Sequence, residues 1–297
     1  MTGTVFDIGY QHYAGGREGR GRSRKAVFTN GVRTALGLGR GARAKILPWL
    51  FIGVLAAIAL VMALVAGAAE RVGGAGAAEQ MNLPSHADFY GIASIIIFVF
   101  AAVVGPELLC PDRRQGVLSL YRVRPLSGTD YIASRWAACL AVLTAAAWLP
   151  QVILFLGLSM GDPAPTAYLA AHWLDVPRFL AAGLVMAAYA ATLALLTASF
   201  TTRRAYASVF LVGLFVITTP FTVGVADEMG GTLGRWISML NLTNIPVHVN
   251  DVIFGEVSEV TEDAPARELP AAVRVGWYFV CTLVPGAVLW ARYRRLA

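Results

Sequence analysis

Apolar residues gather into six long runs with short polar stretches between them. The runs cover residues 46–68, 89–110, 133–158, 177–199, 205–226 and 272–291. Each is close to the roughly 20 apolar residues that a helix needs to cross a hydrocarbon core about 30 Å thick. The pattern predicts an all-α membrane protein with six transmembrane helices.

The polar stretches have patterns of their own. Residues 15–24 read "GGREGRGRSR", which cannot bury apolar surface and is predicted to be flexible. Between residues 26 and 44, Phe28, Val32, Ala35 and Leu36 share one helical face, and Arg33, Arg40 and Arg43 lie away from it. That spacing predicts an amphipathic helix in the membrane interface just before the first span. Gly31, Gly37, Gly39 and Gly41 weaken the helix, and a disordered basic arm held near anionic headgroups is the alternative. Residues 1–45 thus form a basic leader and residues 46–297 a six-span domain. Between the last two runs, "TLGRWISMLNLTNIPVHV" is too apolar for a solvated loop and too short to span. It either re-enters the bilayer or covers the bundle as a surface helix. The acidic "GEVSEVTEDAPARE" after it is expected to be solvated.

Composition agrees with the spans. Hydrophobic residues make up 57% of the 297 and charged residues 14%, against about 25% charged in a soluble protein. Mean hydropathy is +0.62. The first apolar run begins only at Ile46, unlike the core of a signal peptide. Cys110, Cys139 and Cys281 lie in or beside apolar runs without CxxC spacing, as small buried hydrophobes do.

Charge orients the spans. The leader, the 2–3 and 4–5 loops and the C-terminal tail carry 19 of the 24 lysines and arginines. The opposite side carries 13 of the 18 acids. By the positive-inside rule both termini face the cytoplasm and the chain is a multi-pass protein of the cytoplasmic membrane. Trp49, Trp136 and Trp290 near one boundary, with Trp173 and Trp277 near the other, form the expected interfacial belt; Trp148, in mid-span, is the exception. The net charge of +6 comes from this asymmetry and points to membrane lipids, not to nucleic acid.

Candidate chemistry is sparse. There is no P-loop, HExxH or GxSxG, and no paired histidines. His12, His86, His172 and His248 are isolated, which is how surface histidines look, and no metal site is assigned. Glu107, in the last turn of span 2, is either a proton carrier or an interfacial acid paired with Arg113 and Arg114; its place near the boundary favours the salt bridge. Gln151, after Pro150, and Thr218 and Thr219, beside Pro220, either line a translocation path or satisfy backbone groups freed by proline. The second reading is preferred for the threonines, and Gln151 is open. Gly183, Ala187 and Ala191 recur every four residues, as close helix packing requires.

One internal polar stretch is organised. After Pro111, which either ends span 2 or opens a new helix, come Asp112, Arg113, Arg114, Gln115 and Gly116. Val117, Leu118, Leu120 and Tyr121 give a short helix an apolar side, and Pro125 stops it. Asp112 would occupy its first turn. This is a docking surface for a soluble partner, built from Asp112, Arg113, Arg114, Gln115, Gly116, Leu118 and Tyr121.

"PDRRQGVLSLYRVRPLSGTDYIASR" resembles the first cytoplasmic loop of ABC-2 type ABC-transporter permeases, in which an acid-Arg-Arg-x-Gly-x-Leu pattern and an Arg-Pro-Leu-Ser precede span 3. The leader stretches "VFDIGYQHYAGGREGR" and "RTALGLGRGARAKILPWL" are also similar to members of that family from high-GC Gram-positive bacteria. Later spans match in topology alone. The resemblance implies a six-helix permease with an interfacial helix before span 1, a coupling helix between spans 2 and 3 and short helices capping the outer mouth. It also implies two permease subunits, as homo- or heterodimer, working with two copies of an ATPase subunit that holds the ATP and Mg. Asp112, Arg113, Arg114, Gly116 and Leu118 would then belong to the coupling element. Val117 departs from the family's polar middle residue and is given no polar contact. The expected function is that of a permease, exporting a substrate with ATP hydrolysed by its partner and with no cofactor or catalytic residue of its own. A proton-coupled secondary transporter using Glu107, or a membrane-embedded enzyme, are the alternatives.

Overall fold

The computed structural model describes residues 19–74, 81, 83–117 and 126–295. Among them there are eleven α-helices and no strand. A leader helix, α1 (Arg20–Ala35), precedes α2 (Ala42–Gly73), α3 (His86–Arg114) and α4 (Gly128–Gly161). A short α5 (Pro165–Ala171) leads to α6 (Asp175–Phe200) and α7 (Arg204–Met229). Then come α8 (Gly231–Ser238), α9 (Ile245–Phe254), α10 (Glu259–Glu262), a 3₁₀ turn at Pro265–Glu268 and α11 (Ala271–Arg295). The six helices α2, α3, α4, α6, α7 and α11 are long and apolar enough to cross a membrane, and the protein is an all-α membrane protein. Each expected span lies inside one of them and is extended by a few residues.

Local chemistry sets the ends. Ser85 caps α3 and Ser127 caps α4, each in a capping box with the acid three residues on, Asp88 and Asp130. Gly37, at φ +66°, stops α1: the Leu38 N–H reaches back to the Arg33 carbonyl (2.7 Å) and the Gly37 N–H to that of Thr34 (3.1 Å). This glycine is why the leader helix ends at Ala35 and not near residue 44.

Helix α3 is the centre of the bundle. It touches α2, α4, α6 and α7 along its length, α1 at one end and α9 and α10 at the other. Hydrocarbon gives no hydrophobic drive between spans, so close packing must hold them, and small residues supply it. Gly157 and Gly161 of α4 lie against Ala63 and Gly67 of α2, small residues four apart on both helices. Gly105 of α3 meets Ala194 of α6. The repeat Gly183, Ala187 and Ala191 is buried, and Gly183 leaves room for the Tyr90 hydroxyl and the Trp148 indole. Those groups donate to the Phe179 and Leu180 carbonyls, at 2.7 and 2.9 Å, so the mid-span tryptophan has an internal partner. Phe98 stacks on Phe215, 4.6 Å between ring centres, joining α3 to α7.

The leader helix packs on the bundle with the expected face. Val27, Gly31 and Ala35 are buried against α4 and α3, with Phe28 and Val32 half-buried beside them. Gly31 allows the close approach, since a Cβ there would come within 2.7 Å of the Ala138 Cβ.

At the acidic end, the apolar part of the 5–6 connection folds as α8 and α9. A helix lying over the bundle would keep one face in the open, but residues 243–251 are all buried, and α9 packs against α3, α6 and α11. The stretch after α9 departs from the solvated loop that its acids predict. Ser258 and Thr261 are fully buried: Asp251 accepts from the Ser258 N–H (3.2 Å) and the Thr261 hydroxyl (2.6 Å). Asp88 receives the Glu259 N–H at 3.0 Å. Glu259 and Glu262 stay outside, so composition read the surface of this segment correctly and missed its anchors.

The α2–α4 seam gives a direct test. Gly161→Leu places a side chain into the Gly67 backbone and should cost about 1–3 kcal/mol, typical of overpacking, read as a fall in the thermal unfolding midpoint in detergent. Gly53→Leu, with nothing within 4 Å, should leave the midpoint unchanged.

Candidate functional site

The basic end of the bundle holds the stretch with the most chemistry. Pro111 neither ends the second span nor opens a new helix; α3 runs through it to Arg114. Asp112 is therefore in the last turn of α3, not in the first turn of another helix. The stop is Gly116, at φ +66°. The Val117 N–H bonds the Asp112 carbonyl (3.1 Å) and the Gly116 N–H that of Arg113 (3.4 Å), the paired bonds of a glycine-terminated helix. Leu118 and Tyr121, and the body of the expected coupling helix, lie outside the described residues.

The Asp-Arg-Arg triplet splits in direction. Asp112 turns inward and its Oδ2 accepts from the Arg135 guanidinium (2.6 Å) and the Tyr131 hydroxyl (2.7 Å), both on α4. Arg135 is 2% exposed and lies over the Tyr131 ring, 5.5 Å from its centre. Its Nε and one terminal nitrogen have no partner among the described residues, so Asp112 is what balances this buried charge. Arg113 donates to the Ser199 carbonyl and also faces those of Ala198 and Thr201. Arg292 of α11 reaches the same Ser199 carbonyl at 3.1 Å. Two guanidiniums thus satisfy the end of α6, where orphan carbonyls and the helix dipole favour cations. Arg114, Gln115 and Gly116 remain exposed.

Glu107 pairs with different arginines from those expected. Its two oxygens receive Arg40, from the turn between α1 and α2, and Arg204, the first residue of α7. Arg113 and Arg114 follow Glu107 closely in sequence, but Arg113 turns to α6. A further carboxylate, Asp130, starts α4 and also holds the leader helix, accepting from Arg20 (2.6 Å) and Arg24 (2.7 Å).

The proposed path residues lie elsewhere. Thr218 and Thr219 bond back to the Phe215 carbonyl, at 3.2 and 3.4 Å, close to Pro220. Thr219 also meets Asn241 and Thr243 (3.2 and 3.4 Å), tying α7 to the turn before α9. Gln151 is fully buried near the acidic end and bonds His86 twice. His86 and His248 are buried in helices, unlike the surface histidines their isolation predicts. The Ser85–Asp88 capping box was the signal that put His86 at a helix start instead of in a loop. Among the described residues no group of three or more His, Cys, Asp or Glu is placed to hold a metal ion.

Removing Asp112 alone should be costly, because it strands a buried guanidinium. Asp112→Ala should lower stability by up to about 3–5 kcal/mol, while Asp112→Ala with Arg135→Met should recover most of the loss. Thermal unfolding of the two variants against the parent measures the coupling.

Comparison of the chain with protein-family models finds no match. Comparison with curated proteins finds none either.

Proposed function

We propose that the chain is the membrane-spanning permease subunit of an ABC-2 type ABC transporter, exporting a substrate across the cytoplasmic membrane with ATP hydrolysed by a separate ATPase subunit. The observation that carries the reading is the split Asp112-Arg113-Arg114 triplet. Arg114, Gln115 and Gly116 present an exposed basic tip. The two residues before it are bonded to α4 and to the end of α6. Force applied at the tip therefore reaches three spans through short, directional bonds. A permease driven by a partner needs this linkage, and a passive loop does not. The positive-inside asymmetry supports a cytoplasmic place for the tip, where ATP is.

The roles within the stretch are divided. Arg114, Gln115 and Gly116 form the docking face; Asp112 and Arg113 transmit. Glu107 ties three parts of the scaffold together through Arg40 and Arg204, which supports an anchoring role over a proton-carrying one. The outward faces of α7 and α11 carry Phe210, Ile217 and Phe221, and Phe279, Leu283 and Val284. They offer apolar surface to lipid and to a second permease subunit.

If the reading holds, an ATPase subunit co-purifies with the chain, and Arg114→Glu should abolish that co-purification while leaving the thermal midpoint of the isolated permease in place. Arg113→Ala should lower the midpoint instead, because it uncaps α6. An Arg114→Glu protein that still retains the ATPase at wild-type levels would sink the docking assignment.

A further inference from the structure

Where the leader helix meets the bundle, a cavity of about 540 Å³ lies between α1, α4 and the end of α11. Arg20, Arg24 and Lys25 of α1 line it, and Asp130 is the one acid among the described residues of its wall. Three positive charges thus face one negative charge. The Asp130 oxygens already accept from Arg20 (2.6 Å), Arg24 (2.7 Å) and the Ser127 hydroxyl (2.8 Å). Each guanidinium carries five N–H donors, more than that carboxylate can take. The Arg20 and Arg24 side chains are 55% and 51% exposed, and Lys25 is exposed beside them. The cavity is therefore open and keeps a surplus of positive charge.

A second cavity, of about 520 Å³, continues from the first as a groove between α4, α6 and α11. The two share Ala133 and Trp290. From Trp290 the groove reaches Thr282, about 12 Å along the axis of α11 at 1.5 Å per residue. Ile132, Leu283, Ala287 and Leu289 make it apolar. Its polar groups are satisfied or turned away. The Trp136 indole donates to the Thr192 hydroxyl (3.0 Å), which donates to the Ala188 carbonyl (2.7 Å), and the Thr282 hydroxyl is buried in the wall. Leu283 and Trp290 are exposed, so the groove opens sideways from a spanning helix, toward lipid. At the junction Arg294 lies over the Trp290 ring, 5.4 Å from its centre, and brings a further cation.

We propose that the two cavities form one site for an anionic phospholipid, with the headgroup phosphate among Arg20, Arg24 and Lys25 and one acyl chain along the groove. Guanidinium and ammonium groups give a phosphate charge-assisted hydrogen bonds, and a basic pocket between spans at the membrane boundary suits headgroups of that sign. A soluble phosphate would leave the groove empty. A zwitterionic lipid would bring its own cation to a place that already has a surplus. Helix α11 buries only Tyr278, Leu289 and Tyr293 among its residues, so a lipid bridging it to α1 and α4 adds contact where the bundle itself supplies little. The proposal goes beyond the permease reading and does not need it, because the site faces lipid and involves no ATPase.

The test is native mass spectrometry of the full chain in detergent, titrated with dioleoylphosphatidylglycerol, dioleoylphosphatidylcholine and water-soluble glycerol 3-phosphate. A single phosphatidylglycerol should bind saturably and more tightly than phosphatidylcholine, and glycerol 3-phosphate should not displace it. Lys25→Gln should weaken phosphatidylglycerol about fivefold, the effect of one basic residue beside an anionic surface, and leave phosphatidylcholine unchanged. Arg43→Gln, exposed at the start of α2 and outside the cavity, should change the affinity less than about twofold, because such attraction falls off within a Debye length. Ala287→Phe fills the groove without altering charge and should also weaken phosphatidylglycerol. Equal affinity for the two lipids, equal losses in Lys25→Gln and Arg43→Gln, displacement by glycerol 3-phosphate, or full binding by Ala287→Phe overturns the proposal. If Ala287→Phe fails to fold, the comparison of Lys25→Gln with Arg43→Gln decides.

Discussion

Helices in hydrocarbon gain nothing by hiding apolar side chains from one another, because the lipid is as apolar as they are. What remains is contact at short range and polar bonding where water is absent, and the molecule is arranged around that constraint. Along the middle of the bundle, glycine and alanine bring backbones together at the α2–α4 and α3–α6 seams. At both ends, where chains enter and leave, the cross-links become ionic or hydrogen-bonded. Helix α3 takes part in both kinds. It lies deepest, and the others are placed by reference to it.

The two ends use polar bonds differently. At the basic end the bonds are pairs between oppositely charged side chains: Asp112 with Arg135, Glu107 with Arg40 and Arg204, Asp130 with Arg20 and Arg24. They join successive elements into one frame. At the acidic end, buried side chains fold a long connection onto the bundle through Asp251, Ser258 and Thr261. Ion pairs occur there too, Arg178 with Asp175 and Arg235 with Glu268.

Much of this could be read from the chain beforehand. Six apolar runs gave six spans to within a few residues, since length and hydropathy are one-dimensional properties. Small residues four apart on span 4 and the apolar face of the leader helix were legible for the same reason. Partner choice was not. Glu107 lies six and seven residues before Arg113 and Arg114, yet pairs with arginines distant in sequence, because Arg113 turns to the end of α6. The direction of Asp112 depended on where α3 stops, which Gly116 decides and which Pro111 seemed to decide earlier in the chain. Glycines read as helix breakers proved to have separate jobs, a stop at Gly37 and a close contact at Gly31. His86 was misplaced because a lone histidine has no pattern, although the capping box beside it did.

The bond between the leader helix and Asp130 has a consequence for how the chain is assembled. Arg20 and Asp130 are 110 positions apart, so α1 is made long before its counter-charge exists. Until then the bond that holds its N-terminal arginines, Arg20 and Arg24, cannot form. The leader therefore cannot take its full place in the bundle before α4 is made, since the same carboxylate that begins α4 also holds α1. Seating of the leader thus marks a stage of biogenesis: it records that the first three spans have been inserted and have found each other.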